Sequence, residues 1–172
     1  MQKTEIPETE THPHKPFAPE NATVLILGSF PGVHNSHPES GTEWFYASKR
    51  NQFWNILRGV YQEELLTTED KKKLFEKHGI AIADVLLKIR RKENNNLDSN
   101  LEIVEYNDKA LSKLLAQHTF NAVYFTSKFV EKHFMKLFPH IKNGECLPSP
   151  SPRYARMSLT EKINYYKNKL PE

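Results

Sequence analysis

Residues 22–27 read ATVLIL, an unbroken apolar run stopped by Gly28. A strand with one face in water alternates apolar and polar side chains, so a run with no polar member suits a strand covered on both faces. A parallel sheet between helices is its natural host. GIAIADVLL at 79–87 reads as a second strand whose polar residue, Asp84, arrives near its end, FNAVYF at 120–125 as a third, and residues 145–147 as a short fourth. Helical spacing fills the intervals. Residues 48–65 place Phe53, Leu57, Val60 and Tyr61 on one face, and Thr68 can cap a helix running to His78, with Glu69 and Asp70 in its first turn and Gly79 as its stop. Asn107 can cap a helix bearing Leu111 and Leu114, residues 127–138 carry Val130, Phe134 and Leu137, and Ser158 with Glu161 forms a capping box for a last helix. Strands alternating with helices predict an α/β fold: a three-layer α/β/α sandwich with a central, mostly parallel four-stranded sheet, whose ligands meet the loops at the strands' carboxyl ends.

A length of 172 residues with 38% hydrophobic content supports a single sizeable core. Residues 1–20 are rich in Pro, Thr, Glu and His without apolar periodicity, so a mobile N-terminal arm is expected, followed by one domain over 21–172. Within that arm His12 and His14 read as solvated side chains rather than metal ligands; His133 reads as a packed residue on a helix face. Four glutamates of the arm (Glu5, Glu8, Glu10, Glu20) against Lys3 and Lys15 leave the domain more basic than the chain's net +3. A polyanionic partner is permitted, not required. The lone Cys146 excludes an internal disulfide and a cysteine-built zinc site in a single chain, which fits a reducing compartment. With no apolar signal segment and no run of about 18 apolar residues, a cytoplasmic protein away from membranes is expected.

Three strand-end loops hold the chemistry. GSFPG at 28–32 lacks the Lys-Ser/Thr of a phosphate-binding loop and the spacing of a dinucleotide fingerprint, which argues against nucleotide hydrolysis and hydride transfer. It serves equally as a tight connection or as a backbone wall that a flat ligand can approach. WFYASKRNQFW at 44–54 sets aromatics before Lys49, Arg50 and Asn51, where rings stack bases and cations meet phosphates; Tyr46 precedes the helical period, whereas Phe53 and Trp54 fall inside it. LPSPSPRY at 147–154 alternates prolines with Ser149 and Ser151 and ends in Arg153, an arrangement that presents hydroxyls from stiff backbone, or simply a rigid linker.

The ordered blocks VLILGSFPG, FYASKRNQFWNIL, GIAIADVLL, LDSNL and LPSPSP resemble the uracil-DNA glycosylase superfamily, most of all its hypoxanthine-DNA glycosylase branch. That resemblance implies an enzyme that flips a damaged nucleotide into a pocket and cleaves its N-glycosidic bond. It implies that Gly28, Ser29, Phe30, Pro31 and Gly32 wall the pocket, that Tyr46 stacks on the base, and that Ser149, Ser151 and Arg153 grip DNA. Other branches often carry a water-positioning Asp or Asn at the place of Phe30; in the hypoxanthine branch that role falls to the asparagine matching Asn51. Asp84 matches a block that faces the base edge, either as a functional carboxylate or in a structural pair with Arg90 or Arg91. The chain departs from the family pattern at Thr126 and Ser127, where Asn-Gly is expected, and at residues 94–96, where NNN replaces the usual Gly-Ser.

An amide cannot remove a proton near neutral pH, so Asn51 would orient water in a largely dissociative reaction. No lysine in these motifs offers a Schiff-base nucleophile, so no strand-cleaving lyase step is expected. The resulting expectation is a monofunctional, cofactor-free, monomeric glycosylase acting on DNA that contains deaminated bases, hypoxanthine or uracil, in base excision repair. Two other readings are a noncatalytic DNA-binding module with the same fold and a flavodoxin-like sandwich that binds a free nucleotide.

Overall fold

The structure, a computed structural model, describes residues 6–33 and 44–172. In chain order its strands are β1 (Thr9–Thr11), β2 (Val24–Gly28), β3 (Ile80–Asp84), β4 (Leu86–Arg91), β5 (Leu101–Tyr106), β6 (Ala122–Phe125) and β7 (Gly144–Cys146). Its helices are α1 (Phe53–Tyr61), α2 (Thr68–His78), α3 (Asp108–Gln117), α4 (Lys128–Leu137) and α5 (Leu159–Lys167). The apolar run behaves as its composition demands. β2 is buried throughout and sits inside a parallel sheet of order β3-β2-β6-β7.

Successive β2 side chains divide between two cores. Val24 and Ile26 meet Phe53, Leu57, Phe75 and Tyr166 from α1, α2 and α5, while Leu25 and Leu27 meet Leu111, Leu114, Val130 and Phe134 from α3 and α4. Leu25, Ile26 and Leu27 are inaccessible to solvent, and burial of such side chains contributes about 1.5–3 kcal/mol each. This is the α/β/α sandwich the pattern predicts. None of the helices among the described residues is long and apolar enough to cross a membrane.

Four expectations are corrected. The helix expected over 48–65 occupies only Phe53–Tyr61, because Gln62 takes the left-handed conformation at its end and residues 48–52 are held as loop by Asn51 and Pro150. The second strand stops at Asp84. Leu86–Arg91 then turns into a separate antiparallel sheet of order β1-β4-β5, so much of the expected hydrophilic loop is strand. Its charges are not loop signals but cross-strand pairs, Lys88 with Glu105 and Arg90 with Glu102. The cap of α2 is Thr67 rather than Thr68, in a capping box with Asp70.

The fourth correction concerns the arm. Residues 1–5 lie outside the described residues, but the following segment is packed on the domain rather than mobile. β1 pairs with β4, and Phe17 exchanges backbone hydrogen bonds of 2.9 and 2.8 Å with Ile82, covering the outer edge of β3. His12 is buried. Composition missed this because the ordering cost is offset by backbone pairing and by specific long-range contacts, which periodicity does not register.

Gly79 ends α2 at φ 66°, and an added Cβ would lie 2.7 Å from the Asn21 carbonyl oxygen. Gly79→Ala is expected to cost about 1–2 kcal/mol of unfolding free energy. Urea denaturation measures it; an unchanged midpoint would show that the turn relaxes freely.

Candidate active site

The four parallel strands end on one side of the sheet, and their exit loops enclose a cleft of about 750 Å³. β3 lies on one side of β2 and β6 on the other, so the cleft opens where the order of connection reverses, the usual ligand position in such sheets. Residues 29–32 follow β2, Asp84 ends β3, Thr126 and Ser127 follow β6, and residues 149–154 follow β7; all border the cleft. Tyr46 and Asn51 border it too. The eleven expected site residues thus meet at one opening, except that Gly28 lies beneath it.

Gly28 is paired in register with Asp84. A Cβ here would overlap Asp84 Oδ1 and lie 2.5 Å from Tyr46 Oη, so only glycine lets these two oxygens converge over the strand. Tyr46 sits at φ 55°, a conformation costly for a tyrosine. Its ring stacks on Phe53 with centroids 4.1 Å apart and planes 20° apart, so stacking on a ligand falls to the opposite face. Thr126 fixes its other end. The Thr126 hydroxyl donates to the Leu27 carbonyl at 3.1 Å, so it accepts from Tyr46 Oη at 2.9 Å. Burial, followed by the nearby Asp84 charge, pushes the Tyr46 phenol well above its ordinary pKa, and it stays a hydrogen-bond donor.

Asp84 is held by a residue from the N-terminal segment, not by Arg90 or Arg91. His12 Nε2 lies 2.7 Å from Asp84 Oδ2, and the two side chains are 1% and 7% exposed. The backbone N–H of His14 donates to His12 Nδ1 at 3.0 Å, which places the ring proton on Nε2, facing the carboxylate. Arg91 is occupied elsewhere, paired with Glu10 at 2.9 Å and donating to the Pro31 carbonyl at 2.6 Å. Phe30 packs edge-on to His12, with centroids 5.4 Å apart. The wall loop is therefore clamped from the same segment.

Asp98 is a cleft residue that motif reading quoted, within LDSNL, without assigning it a role. It sits in a turn of 3-10 helix over Asp98–Asn100 and receives hydrogen bonds from Ser29 Oγ at 2.8 Å and Ser127 Oγ at 3.4 Å. Burial raises its pKa against the lowering effect of the two serines, and the Asp84 charge raises it further. Ser127 also caps α4 through the Val130 N–H. The signal lay at Thr126 and Ser127, which supply hydroxyls where the sequence resemblance leads to an expectation of Asn-Gly.

Asn51 Oδ1 accepts from the Phe53 N–H at 2.9 Å, an Asx turn that starts α1 and orients the amide. A carbonyl oxygen keeps a second lone pair. The adjoining Gln52 N–H donates to the Pro150 carbonyl at 2.8 Å, and the buried Lys162 ammonium donates to Gln52 Oε1 at 2.8 Å and the Ser151 carbonyl at 3.1 Å. Desolvation lowers the Lys162 pKa; its role is to tie the helix start to the proline-serine loop. In that loop Ser149 Oγ accepts from the Ser151 N–H and Ser151 Oγ from the Arg153 N–H, leaving each hydroxyl proton to donate; Arg153 is exposed at the rim. His133 lies on α4 bonded to the Tyr106 hydroxyl at 2.8 Å. Among the described residues no group of three or more His, Cys, Asp or Glu could hold a metal ion.

A family profile described as the Uracil DNA glycosylase superfamily matches residues 15–170. The chain belongs to this superfamily. The solution NMR structure of a candidate uracil DNA glycosylase from Methanosarcina acetivorans shares its fold, with a TM-score of 0.69 at 22% identity over 94% of this chain and 98% of that one. No curated protein matches. The superfamily match reaches back to residue 15, so it includes the Phe17 bridge on the edge of β3 but not β1 or His12.

Two predictions follow from the hydroxyls and the carboxylate. Thr126→Val leaves the buried Tyr46 hydroxyl without its acceptor and is expected to lose about 1–3 kcal/mol of stability, with Thr126→Ser close to the parent; chemical denaturation distinguishes them. For Asp98 the folded-state pKa is raised, so its contribution to stability is present below its ordinary value and is lost as pH rises through the raised one. The melting temperature of the parent relative to Asp98→Asn should therefore increase on acidification from about pH 6 to about pH 3; a relative decrease contradicts the assignment.

Proposed function

We propose that the protein is a monofunctional DNA glycosylase that hydrolyses the N-glycosidic bond of deaminated bases, hypoxanthine first and uracil second, in base excision repair. The observation that carries this reading is that Asn51 and Tyr46 border the same cleft, walled by the 29–32 loop and rimmed by the proline-serine loop. A volume of about 750 Å³ accommodates one extruded nucleotide. DNA is the partner, and neither cofactor nor membrane enters the reaction; the chain works as a monomer in the cytoplasm.

In this mechanism the extruded base lies against the Tyr46 face turned away from Phe53 and against the backbone of residues 29–32. Ser149, Ser151 and the Ser-Pro backbone contact phosphates, and Arg153 enters or flanks the vacated stack. Asn51 presents its remaining carbonyl lone pair to a water but takes no proton, so bond breaking runs ahead of water attack. The base departs with the bonding electrons and the sugar becomes cationic, a charge that the partly desolvated carboxylate region around Asp84 and Asp98 stabilises more than water would; water then adds to the sugar carbon, and its proton passes to the departed base. Asp84 meets the base edge. No lysine is among the described residues that border the cleft, which supports hydrolysis without a covalent imine.

Duplexes carrying one deoxyinosine or one deoxyuridine, treated with alkali after incubation, should break at the lesion, and Asn51→Ala should bind the lesion duplex while losing cleavage by about a hundredfold or more. Intact strands for both lesions would refute the enzymatic reading. Binding without base release would instead support the noncatalytic module.

A further inference from the structure

We infer that His12 is a positioning residue of the reaction: the N-terminal segment supplies an imidazole of fixed tautomer that orients the Asp84 carboxylate at the cleft. This deepens the glycosylase reading and rests on it. Asp84 ends β3 in the lining of the cleft, with Oδ1 over the bare Cα of Gly28 and Oδ2 on His12. The two residues are 72 apart in sequence, and the imidazole is almost wholly buried. Both ring nitrogens are committed, Nδ1 to the His14 N–H and Nε2 to the carboxylate, so the ring has one tautomer and one rotation. A carboxylate gripped at one oxygen presents the other in a fixed direction.

Pure packing does not account for this arrangement. An apolar ring would fill the site between Phe30 and Phe45 equally well, since His12 contacts both at centroid distances of 5.4 and 5.6 Å. The polar edge is directed instead to Asp84, the one buried carboxylate among the described residues that border the cleft. Other contacts of the same segment serve the same opening. Glu10 holds Arg91, whose guanidinium donates to the Pro31 carbonyl of the wall loop, and the His12 N–H donates to the Leu87 carbonyl at 2.8 Å just past the end of β3. The segment thus sets both the wall and the carboxylate, and a displacement of the order of 1 Å in either costs rate, not affinity.

The test uses the full chain and a lesion duplex. His12→Phe keeps the ring's footprint and removes the donor; His12→Gln offers an amide N–H to Asp84 and a carbonyl to the His14 N–H. His12→Phe is expected to lower kcat about tenfold to a hundredfold with KM and lesion-duplex affinity unchanged, and His12→Gln to recover most of that loss. In an Asp84→Asn background His12→Phe should cost nothing further in kcat. The inference is overturned if folded His12→Phe cleaves at the parent rate, if His12→Gln is as slow as His12→Phe, or if the loss is undiminished beside Asp84→Asn. Parent protein that cleaves no lesion overturns the glycosylase reading and this inference with it, whereas active parent with an indifferent His12 overturns the inference alone.

Discussion

The missing side chain of Gly28 is the constraint around which the cleft is built. Because nothing projects from its Cα, the Asp84 carboxylate and the Tyr46 hydroxyl reach the same small volume at the end of β2. Each is then held from behind, Asp84 by His12 and Tyr46 by Phe53 and Thr126. The left-handed backbone at Tyr46 is the cost of bringing that ring in, and the stacked Phe53 and the hydroxyl pair offset it. Strands packed on both faces make such precision possible, since β2 cannot shift without disturbing two cores.

The polar groups lining the opening form chains rather than isolated pairs. Tyr46 donates to Thr126 and Thr126 to Leu27; Ser29 and Ser127 converge on Asp98; Glu10, Arg91 and the Pro31 carbonyl make a third series. Partial desolvation strengthens every link and makes any broken link costly. Two carboxylates in one cleft also leave its interior more acidic than its basic rim, and the Asp84 charge is one of the causes that raise the Asp98 pKa. A reaction that develops positive charge on the sugar suits the interior, while phosphates suit the rim.

The Thr126 and Ser127 hydroxyls help to complete the floor of the cleft after β6. Thr126 is both anchor and acceptor for the tyrosine, and Ser127 both caps α4 and reaches Asp98. Lys162 performs a similar linking task on the other side, where its buried ammonium joins Gln52 to the proline-serine loop.

Hydrophobic patterning along the chain was sufficient for the parallel sheet, the two helical layers and the loops that carry site residues, because burial of β2 on both faces leaves few other arrangements. The capping boxes at Thr67 and Ser158 belong to the same local order, apart from a one-residue displacement at the first. What local order could not reveal was the second sheet, whose charged strands are satisfied only by partners across the ladder, and the docking of residues 9–17. Nor could it find His12, in place of the expected Arg90 or Arg91, as the partner of Asp84, since that depends on which donor arrives at a buried carboxylate from 72 residues away. Residue type and spacing decided which chemistry was available; three-dimensional proximity decided which groups meet, because hydrogen-bond direction and desolvation have no counterpart in linear order.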